Sequence, residues 1–344
     1  MRSGISSPVV ADPAQDFPDR PEAPLPLGIS ECLLGNEVRY DGSGARSSFP
    51  HAALDGLYEY QGICPEVGIG MPVPRPPIRL VARGPADEAR EVRAVGVADS
   101  TLDYTDALAD YARKTAPGLE GVAGYVLMKS SPSCGMERVK VYSETADGSV
   151  GMPKRVGRGI FAEGLMLALP NLPLEECGRL NDEVLRENFV MRTFAYAHWQ
   201  ALVARGLTAR GLVEFHSRYK YLLMAHSVPT YQEAGRLLSN LKSDLEGIAA
   251  KYISLLMQGL SRPASRGGHA NVLAHLQGYL KRVLDAPSRQ ELATLIAAYR
   301  RGEQPLLAPM AVLKHHLNRH PDTYVLYQTY LDPHPPAAAL RRRL

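Results

Sequence analysis

Three of the four cysteines lie in similar short motifs. Cys32 stands in Ser-Glu-Cys-Leu-Leu-Gly, Cys64 begins Cys-Pro-Glu-Val-Gly, and Cys134 stands in Ser-Ser-Pro-Ser-Cys-Gly. Glycine or proline close to each thiol favours a loop whose backbone can approach a bulky ligand. One such cysteine alone would be interpreted as a small buried residue. Three in similar loops indicate a shared role as thiolate ligands.

The kind of ligand stays open on spacing alone. A disulfide framework belongs to small secreted domains, and the N-terminus has no apolar segment behind a basic start, so we expect a reducing cytoplasm. A structural zinc normally takes four Cys or His ligands in close pairs, and His51 lies in no such pair. A [4Fe-4S] cluster usually takes four cysteines, so three would leave one iron open, although the intervals match no compact ferredoxin pattern.

Cys177 is the fourth cysteine and could close such a site. It lies in Leu-Glu-Glu-Cys-Gly-Arg, which reads as an acidic helix start without the loop context of the other three. We therefore predict that Cys177 is a bystander.

Several polar residues lie in or beside the cysteine motifs. Arg39, Arg75 and Lys129 are candidates for holding a phosphate or a pyrimidine carbonyl, with surface solvation as the alternative for each. Asp41, beside Gly42, could bond a base N–H or form an Asx turn, and the turn is favoured. These four residues are the predicted substrate contacts.

The cysteine loops must be positioned by strands. Residues 27–30 and 122–128 read as short apolar strands that run directly into the loops of Cys32 and Cys134, and residues 58–63 are a weaker candidate before Cys64. Parallel sheets place ligand sites in loops beyond the carboxyl ends of their strands. The cysteines therefore indicate a site at one edge of a mainly parallel sheet.

Other segments complete an α/β domain. Residues 78–82 and 92–97 flank Gly-Pro-Ala-Asp, which suggests an edge hairpin. Residues 101–116 and 159–169 are predicted helices. The order of strands and helices predicts an α/β domain over residues 25–172, after a disordered proline-rich tail over residues 1–24.

The chain changes character after a Pro-Asn-Leu-Pro hinge at residues 170–173. Strand signals fade, and helical periodicity predicts helices over residues 212–225, 231–257, 269–284 and 290–300. We therefore predict an all-α domain over residues 173–336, followed by a basic tail over residues 337–344. No apolar run is long enough to span a membrane.

Charge divides the chain in the same place. Residues 178–344 hold 22 Lys and Arg against 12 Asp and Glu, whereas the preceding part holds 17 against 24. On the predicted helix at residues 212–225, His216, Tyr219 and Lys220 share a face, and Arg218 adds charge beside them. Such residues suit contact with phosphates and unpaired bases, so we expect RNA contacts at these four positions, with solvated helix surface as the alternative.

A metal site at His315, His316 and His320 fits by spacing but has no supporting carboxylate pattern.

The N-terminal motifs resemble the thiouracil desulfidase family over roughly residues 26–170. The resemblance rests on Cys-Leu-Leu-Gly with Val-Arg-Tyr-Asp-Gly, on Cys-Pro-Glu and on Ser-Pro-Ser-Cys-Gly. It implies a [4Fe-4S] cluster held by Cys32, Cys64 and Cys134, whose fourth iron captures the sulfur of a thiolated uracil.

The resemblance also implies a catalytic glutamate and serine. Glu66 of Cys-Pro-Glu takes the first role, as general base for water or proton carrier to the serine. Ser131 and Ser133 both qualify for the second, to position water or stabilise a tetrahedral intermediate, and Ser131 is preferred. Helix capping by Glu66 and turn formation by one serine are the alternatives.

The helical half resembles the YbgA-like domain over roughly residues 184–336. A basic helical domain joined to an acidic catalytic one suggests a thiolated base displayed on a polyanion, so 2- or 4-thiouridine in tRNA is the leading substrate. A free thiouracil or thiouridine nucleotide is the second. The other classes considered are a non-enzymatic iron–sulfur sensor of nucleic acid and a zinc-stabilised RNA-binding module.

Overall fold

The chain is described here from a computed structural model covering residues 18–46, 54, 56–83, 91–144, 150–241 and 244–335. The predicted basic tail at 337–344 and most of the predicted N-terminal tail lie outside these residues. Pro18, within the predicted tail, is buried, and its carbonyl oxygen lies 3.1 Å from His198 Nε2.

The first sheet is parallel throughout, with the strand order β2-β1-β5-β8. Its strands are β1 (Leu25–Ser30), β2 (Tyr58–Ile63), β5 (Tyr125–Leu127) and β8 (Leu174–Glu176). The central strands are apolar and buried on both faces, as parallel sheets require. The predicted parallel sheet is thus confirmed, and β8 extends it past residue 172.

A second, mixed sheet has the order β4-β3-β6-β7. The strands β3 (Ile78–Arg83) and β4 (Glu91–Gly96) form the predicted antiparallel hairpin, with β4 at the edge. The strands β6 (Val139–Ser143) and β7 (Lys154–Gly157) continue the sheet, with β6 parallel to β3 and antiparallel to β7. The sequence analysis did not identify β6 and β7.

Three helices accompany the two sheets. The short helix α1 (Pro65–Gly68) follows β2, α2 (Thr105–Thr115) follows β4, and α3 (Ile160–Ala168) follows β7. Leu108 of α2 and Ile160 of α3 pack on one face of the second sheet. The last two helices correspond to the predicted helices at residues 101–116 and 159–169.

The remainder of the described chain is helical, as predicted. Its helices are α4 (Glu183–Ala204), α5 (Ala209–His226), α6 (Val228–Leu237), α7 (Leu245–Leu260), α8 (Arg266–Tyr279), α9 (Ala286–Arg301), α10 (Leu307–Arg319) and α11 (Thr323–Leu326). The single helix predicted over residues 231–257 is wrong, because two helices occupy it. Asp244 begins α7 as an N-cap that accepts from the Gly247 amide at 2.9 Å.

Helix α4 is shared between the two halves of the molecule. Phe189, Val190 and Phe194 pack into the core of the first sheet with Leu27 and Ile29. Its Met191 and Trp199, with other residues, belong to the core of the helical half. No helix in the described ranges is both long and apolar enough to cross a membrane.

Candidate active site

The three predicted ligand cysteines lie on one cavity of about 380 Å³. This volume falls within the range of small-molecule sites. Cys32, Cys64 and Cys134 all line it, as do the predicted catalytic residues Glu66 and Ser131. Loops separated widely in sequence therefore converge at the carboxyl ends of β1, β2 and β5, where the sheet topology predicts a site.

Local sequence fixes each cysteine loop. Cys32 lies in a 3₁₀ turn that ends at Gly35, whose φ of +100° suits glycine and whose amide donates to the Cys32 carbonyl at 3.1 Å. Cys64 is the N-cap of α1, and Pro65 occupies the first helical position, where its missing N–H is not needed.

The Cys134 loop is held by the start of α3. The Ile160 amide donates to the Pro132 carbonyl at 3.1 Å, and the Ala162 amide donates to the Ser133 carbonyl at 3.1 Å. A Cβ at Gly159 would lie 2.5 Å from the Ser133 carbonyl carbon, so only glycine allows this close approach.

The Cys134 thiol is buried, and Cys32 and Cys64 are half-buried. Burial raises the pKa of Cys32 to about 11, with a further increase from the nearby Cys64 thiol. Burial also raises the pKa of Cys64 and, more strongly, that of Cys134. A metal centre that binds these sulfurs as thiolates must therefore displace protons from them.

Ser30 is a site residue that the sequence analysis missed. Its hydroxyl oxygen accepts from the Met128 amide at 3.0 Å, and its O–H donates to the Cys134 sulfur, which opposes the rise in the Cys134 pKa. Ser30 ends β1 directly before the Glu-Cys pair. Its position at a strand terminus beside a ligand motif was the available signal.

Glu66 is held by two partners within the site. Arg75 Nε lies 2.8 Å and Nη2 2.6 Å from Glu66 Oε2. The Ser133 hydroxyl donates to Glu66 Oε1 at 2.8 Å. The Arg75 side chain is 2% exposed and that of Glu66 15%. The carboxylate is thus fixed at the cavity wall while part of it stays accessible.

The two candidate serines differ in environment. Ser133 is fully buried and contacts Glu66. Ser131 lines the cavity, and its hydroxyl oxygen accepts from the amides of Ser133 at 3.2 Å and Cys134 at 3.0 Å. Ser131 therefore also forms the turn that carries Cys134.

Of the four predicted substrate contacts, three line the cavity and Asp41 does not. Arg39 and Lys129 line the cavity. Arg75 lines it too, but its guanidinium donates to Glu66 and to the carbonyls of Val38 at 3.0 Å and Pro72 at 3.3 Å, which indicates a positioning role. Asp41 is exposed outside the cavity. It accepts from the Ser43 amide at 3.1 Å and hydroxyl at 2.6 Å, which lowers its pKa and forms the alternative Asx turn.

Cys177 does not line the cavity. Its amide donates to the Leu127 carbonyl at 3.0 Å directly after β8, and its side chain belongs to the core of the first sheet. The thiol lies near enough to Cys32 to add, after burial and Cys64, to the raised pKa of Cys32. Among the described residues no three His, Cys, Asp or Glu side chains could hold a single metal ion, at the histidines of α10 or elsewhere.

The four predicted RNA contacts on α5 do not share one surface. Tyr219 is 1% exposed and stacks on Phe215 at 4.3 Å between ring centroids, so its ring is not available to a base, and this prediction is corrected. His216 packs between Tyr231 and Tyr252. The Arg218 side chain is 18% exposed, lies over the Tyr327 ring at 5.2 Å and is paired with Glu214 at 2.9 Å. Lys220 is half-buried and lies over the Tyr324 ring at 4.9 Å.

Two family models match the chain, and both agree with the domains described above. Residues 27–177 match the 2-thiouracil desulfurase family, and residues 220–335 match DUF1722, described as a protein of unknown function. The chain therefore belongs to the 2-thiouracil desulfurase family, with a DUF1722 domain as its helical half. Both resemblances drawn from the sequence are confirmed.

Individual relatives cover one half of the chain each. The uncharacterized protein YbgA of Escherichia coli (strain K12) is 37% identical over 164 residues, which is 47% of this chain and 97% of that protein. The uncharacterized protein YbbK of Bacillus subtilis (strain 168) is 30% identical over 136 residues, 39% of this chain and 85% of that protein. A solved structure, the [4Fe-4S]-dependent thiouracil desulfidase TudS, is 26% identical with a TM-score of 0.34, covering 46% of this chain and 94% of that one.

Proposed function

We propose that this chain is a [4Fe-4S]-dependent desulfidase that removes sulfur from thiolated uracil, giving uracil and sulfide. The observation that carries the proposal is the convergence of three free thiols, one buried and two half-buried, and the Glu66 carboxylate on one cavity. A reducing compartment suits these free thiols, so we place the reaction in the cytoplasm.

The residues present fit an iron–sulfur cluster. The donor set is sulfur only, and soft thiolates are the ligands such clusters take. Cys32, Cys64 and Cys134 would hold three irons. When bound, the cluster would supply a Lewis acid at its remaining iron, which polarises the C=S bond and accepts the sulfur.

The protein side chains supply the proton chemistry. Glu66 Oε1 is positioned to accept a proton from water that attacks the thiolated carbon, because Arg75 fixes Oε2 and Ser133 fixes the other oxygen. Ser131 faces the same cavity and can orient that water. Arg39 and Lys129 at the wall place positive charge beside the pyrimidine carbonyl or a phosphate.

The cysteine assignment is tested by anaerobic reconstitution of the wild type and of each Cys→Ser variant. We expect Cys32→Ser, Cys64→Ser and Cys134→Ser to lose the cluster's absorbance and sulfide release from 2-thiouracil. Cys177→Ser is the matched control and should retain both. Loss of the cluster in Cys177→Ser would replace the open site with a four-cysteine site, and a stable cluster without sulfide release would favour the sensor.

We extend the substrate to thiouridine within tRNA, at the 2- or 4-position. The supporting observation is the excess of 22 basic over 12 acidic residues in residues 178–344. Charge reversal of Arg218 and Lys220, the two half-buried cations of α5, should weaken desulfidation of thiolated tRNA and leave that of the free base unchanged. Full activity of the double variant on tRNA would remove α5 from the RNA interface.

A further inference from the structure

The second sheet carries unpaired positive charge on the face away from its helices. Leu80 of β3 and Val141 of β6 point into the core beneath α2 and α3. Because side chains alternate along a strand, Arg79 and Lys140 point to the opposite, outer face. The register that pairs Leu80 with Val141 sets Arg79 beside Lys140.

The neighbouring edge strand adds a third charge. Lys140 pairs directly with Arg155 of β7 across the antiparallel ladder. Arg79, Lys140 and Arg155 therefore form a line across three strands, which we call the basic row. Like charges in directly opposed cross-strand positions destabilise a sheet.

Other arginines on the same sheet are neutralised. Arg93 lies 2.8 Å from both Asp103 and Glu91, and Arg83 lies 3.1 Å from Glu144. Within the part of the chain that the structure describes, the basic row has no acidic partner at ion-pair distance. Its charge is thus uncompensated, whereas Arg83 and Arg93 of the same sheet are paired, which fits a surface that binds an external anion.

The basic row begins one residue along β3 from the cavity lining, with Arg79 on the face opposite Ile78. Ile78 and Pro77 line the cavity, and Arg79 follows them directly in β3. The Arg79 guanidinium carbon lies 5.7 Å from the centroid of the Tyr142 ring, which holds it on the outer face. By contrast, no residue of α4–α11 in the described ranges lines the cavity.

We propose that the basic row binds consecutive backbone phosphates of single-stranded RNA whose thiolated base enters the cavity. The inference rests on the proposed function, and it moves the RNA contact nearest the reaction from the helical half to the second sheet. A strand spacing of about 4.8 Å sets the charges of the row at intervals that an extended RNA backbone can follow. Free thiouracil, which has no phosphate, should not use the row.

The test uses the full-length reconstituted protein and the double variant Lys140→Ala/Arg155→Ala. The probes are free 2-thiouracil and a short single-stranded oligonucleotide with one thiouridine. We expect KM for the oligonucleotide to rise roughly tenfold and the slope of log affinity against log salt to fall by about 1.4, since two phosphate contacts are lost. Turnover of the free base should stay within about twofold of wild type, and the melting temperature should not fall, because a like-charge pair is removed.

Arg113→Ala/Lys114→Ala is the matched control, with the same charge change on exposed residues of α2, across the sheet from the row. It should leave oligonucleotide KM near the wild-type value. An equal rise in oligonucleotide KM in both double variants, or no rise in Lys140→Ala/Arg155→Ala, would overturn the inference. Competition by polyglutamate as strong as that by RNA of the same charge would also overturn it. Absence of sulfide release from free thiouracil by the wild type would instead refute the proposed function.

Discussion

Glu66 is the residue on which the proton chemistry depends. Its carboxylate lies on the cavity wall and contacts both Arg75 and Ser133, one of the two candidate catalytic serines. The ion pair fixes the Glu66 carboxylate in one orientation. A carboxylate so placed can accept a proton without first reorganising.

We therefore expect Glu66→Gln to lower kcat for thiouracil by about 10² to 10⁴, because the amide keeps the shape of the side chain but cannot act as a base. Iron content and cluster absorbance should stay at wild-type levels, which separates catalysis from cluster binding. Glu59→Gln, on the exposed side of β2, is the control and should be fully active. An active Glu66→Gln enzyme would exclude the carboxylate as base.

Alanine variants of the two serines should differ in their effects on kcat and on the free energy of unfolding. Ser133→Ala removes the hydrogen bond to Glu66 Oε1, so we expect a fall in kcat of roughly tenfold at nearly constant KM. Ser131→Ala removes the acceptor of two amides and should cost about 1–2 kcal/mol in the free energy of unfolding. A change in stability for Ser133→Ala alone would make that serine structural.

At the scale of residues, the sequence predicted which side chains lie at the site but not which of them form hydrogen bonds with each other. The cysteine motifs were found because glycine or proline lies close to each thiol, and Glu66 was found through the resemblance to the thiouracil desulfidase family. The contact between Ser133 and Glu66 joins positions 67 residues apart, and no local pattern encodes it. Both serines qualified from the sequence, with Ser131 preferred, whereas the structure adds the hydrogen bond from Ser133 to Glu66.

At the scale of elements, α3 supports the Cys134 loop. Its first amides take the loop carbonyls of Pro132 and Ser133, and Gly159 permits the approach. This arrangement connects a helix terminus to the position of a ligand sulfur.

Gly159→Ala should displace the Cys134 loop, because the added Cβ would lie 2.5 Å from backbone atoms that cannot rotate away. We expect iron and sulfide per chain after reconstitution to fall several-fold while far-UV circular dichroism stays near wild type. Gly118→Ala is the control, since a Cβ there meets no atom within 4 Å. Wild-type iron content in Gly159→Ala would show that the loop adapts.

Secondary-structure elements were missed from the sequence where a helix is buried on two sides, as in α4, or where a strand is short, as in β8. Helix α4 is apolar around much of its circumference because it contacts two cores, so it lacks the polar stripe by which a surface helix is found. Strand β8 has three residues, two of them glutamates. The break between α6 and α7 had a readable signal in Asp244 and Gly247, which the periodicity over residues 231–257 obscured.

At the scale of the whole molecule, buried histidines link folding to pH. His198 lies between the Pro18 carbonyl at 3.1 Å and the Tyr219 hydroxyl at 3.0 Å. Burial lowers the pKa of His198 to about 4, and burial likewise lowers the pKa of His216 to about 4. Both are thus neutral in the folded protein at physiological pH.

The unfolded chain, with histidine pKa values near 6.5, binds protons at a higher pH than the fold does, so stability is lost as pH falls from about 6.5 towards 4. Between pH 7.5 and 5.5 we expect each histidine to cost about 1 kcal/mol in the free energy of unfolding, measured by urea denaturation. His198→Gln and His216→Gln should each reduce that pH dependence. If the free energy of unfolding depended on pH in both variants as it does in the wild type, His198 and His216 would have the same protonation in the folded and unfolded states.

Helix α4 has a consequence for how the two halves can be separated. Its Phe189, Val190 and Phe194 complete the core of the first sheet, and each such side chain contributes about 1.5–3 kcal/mol by burial. A family member that carries only the desulfurase half must cover this surface with other residues, or with a second chain. Cutting this chain at the end of the 2-thiouracil desulfurase match would expose this apolar surface to water, so α4, which lies between the two family matches, belongs to the interior of the desulfurase half.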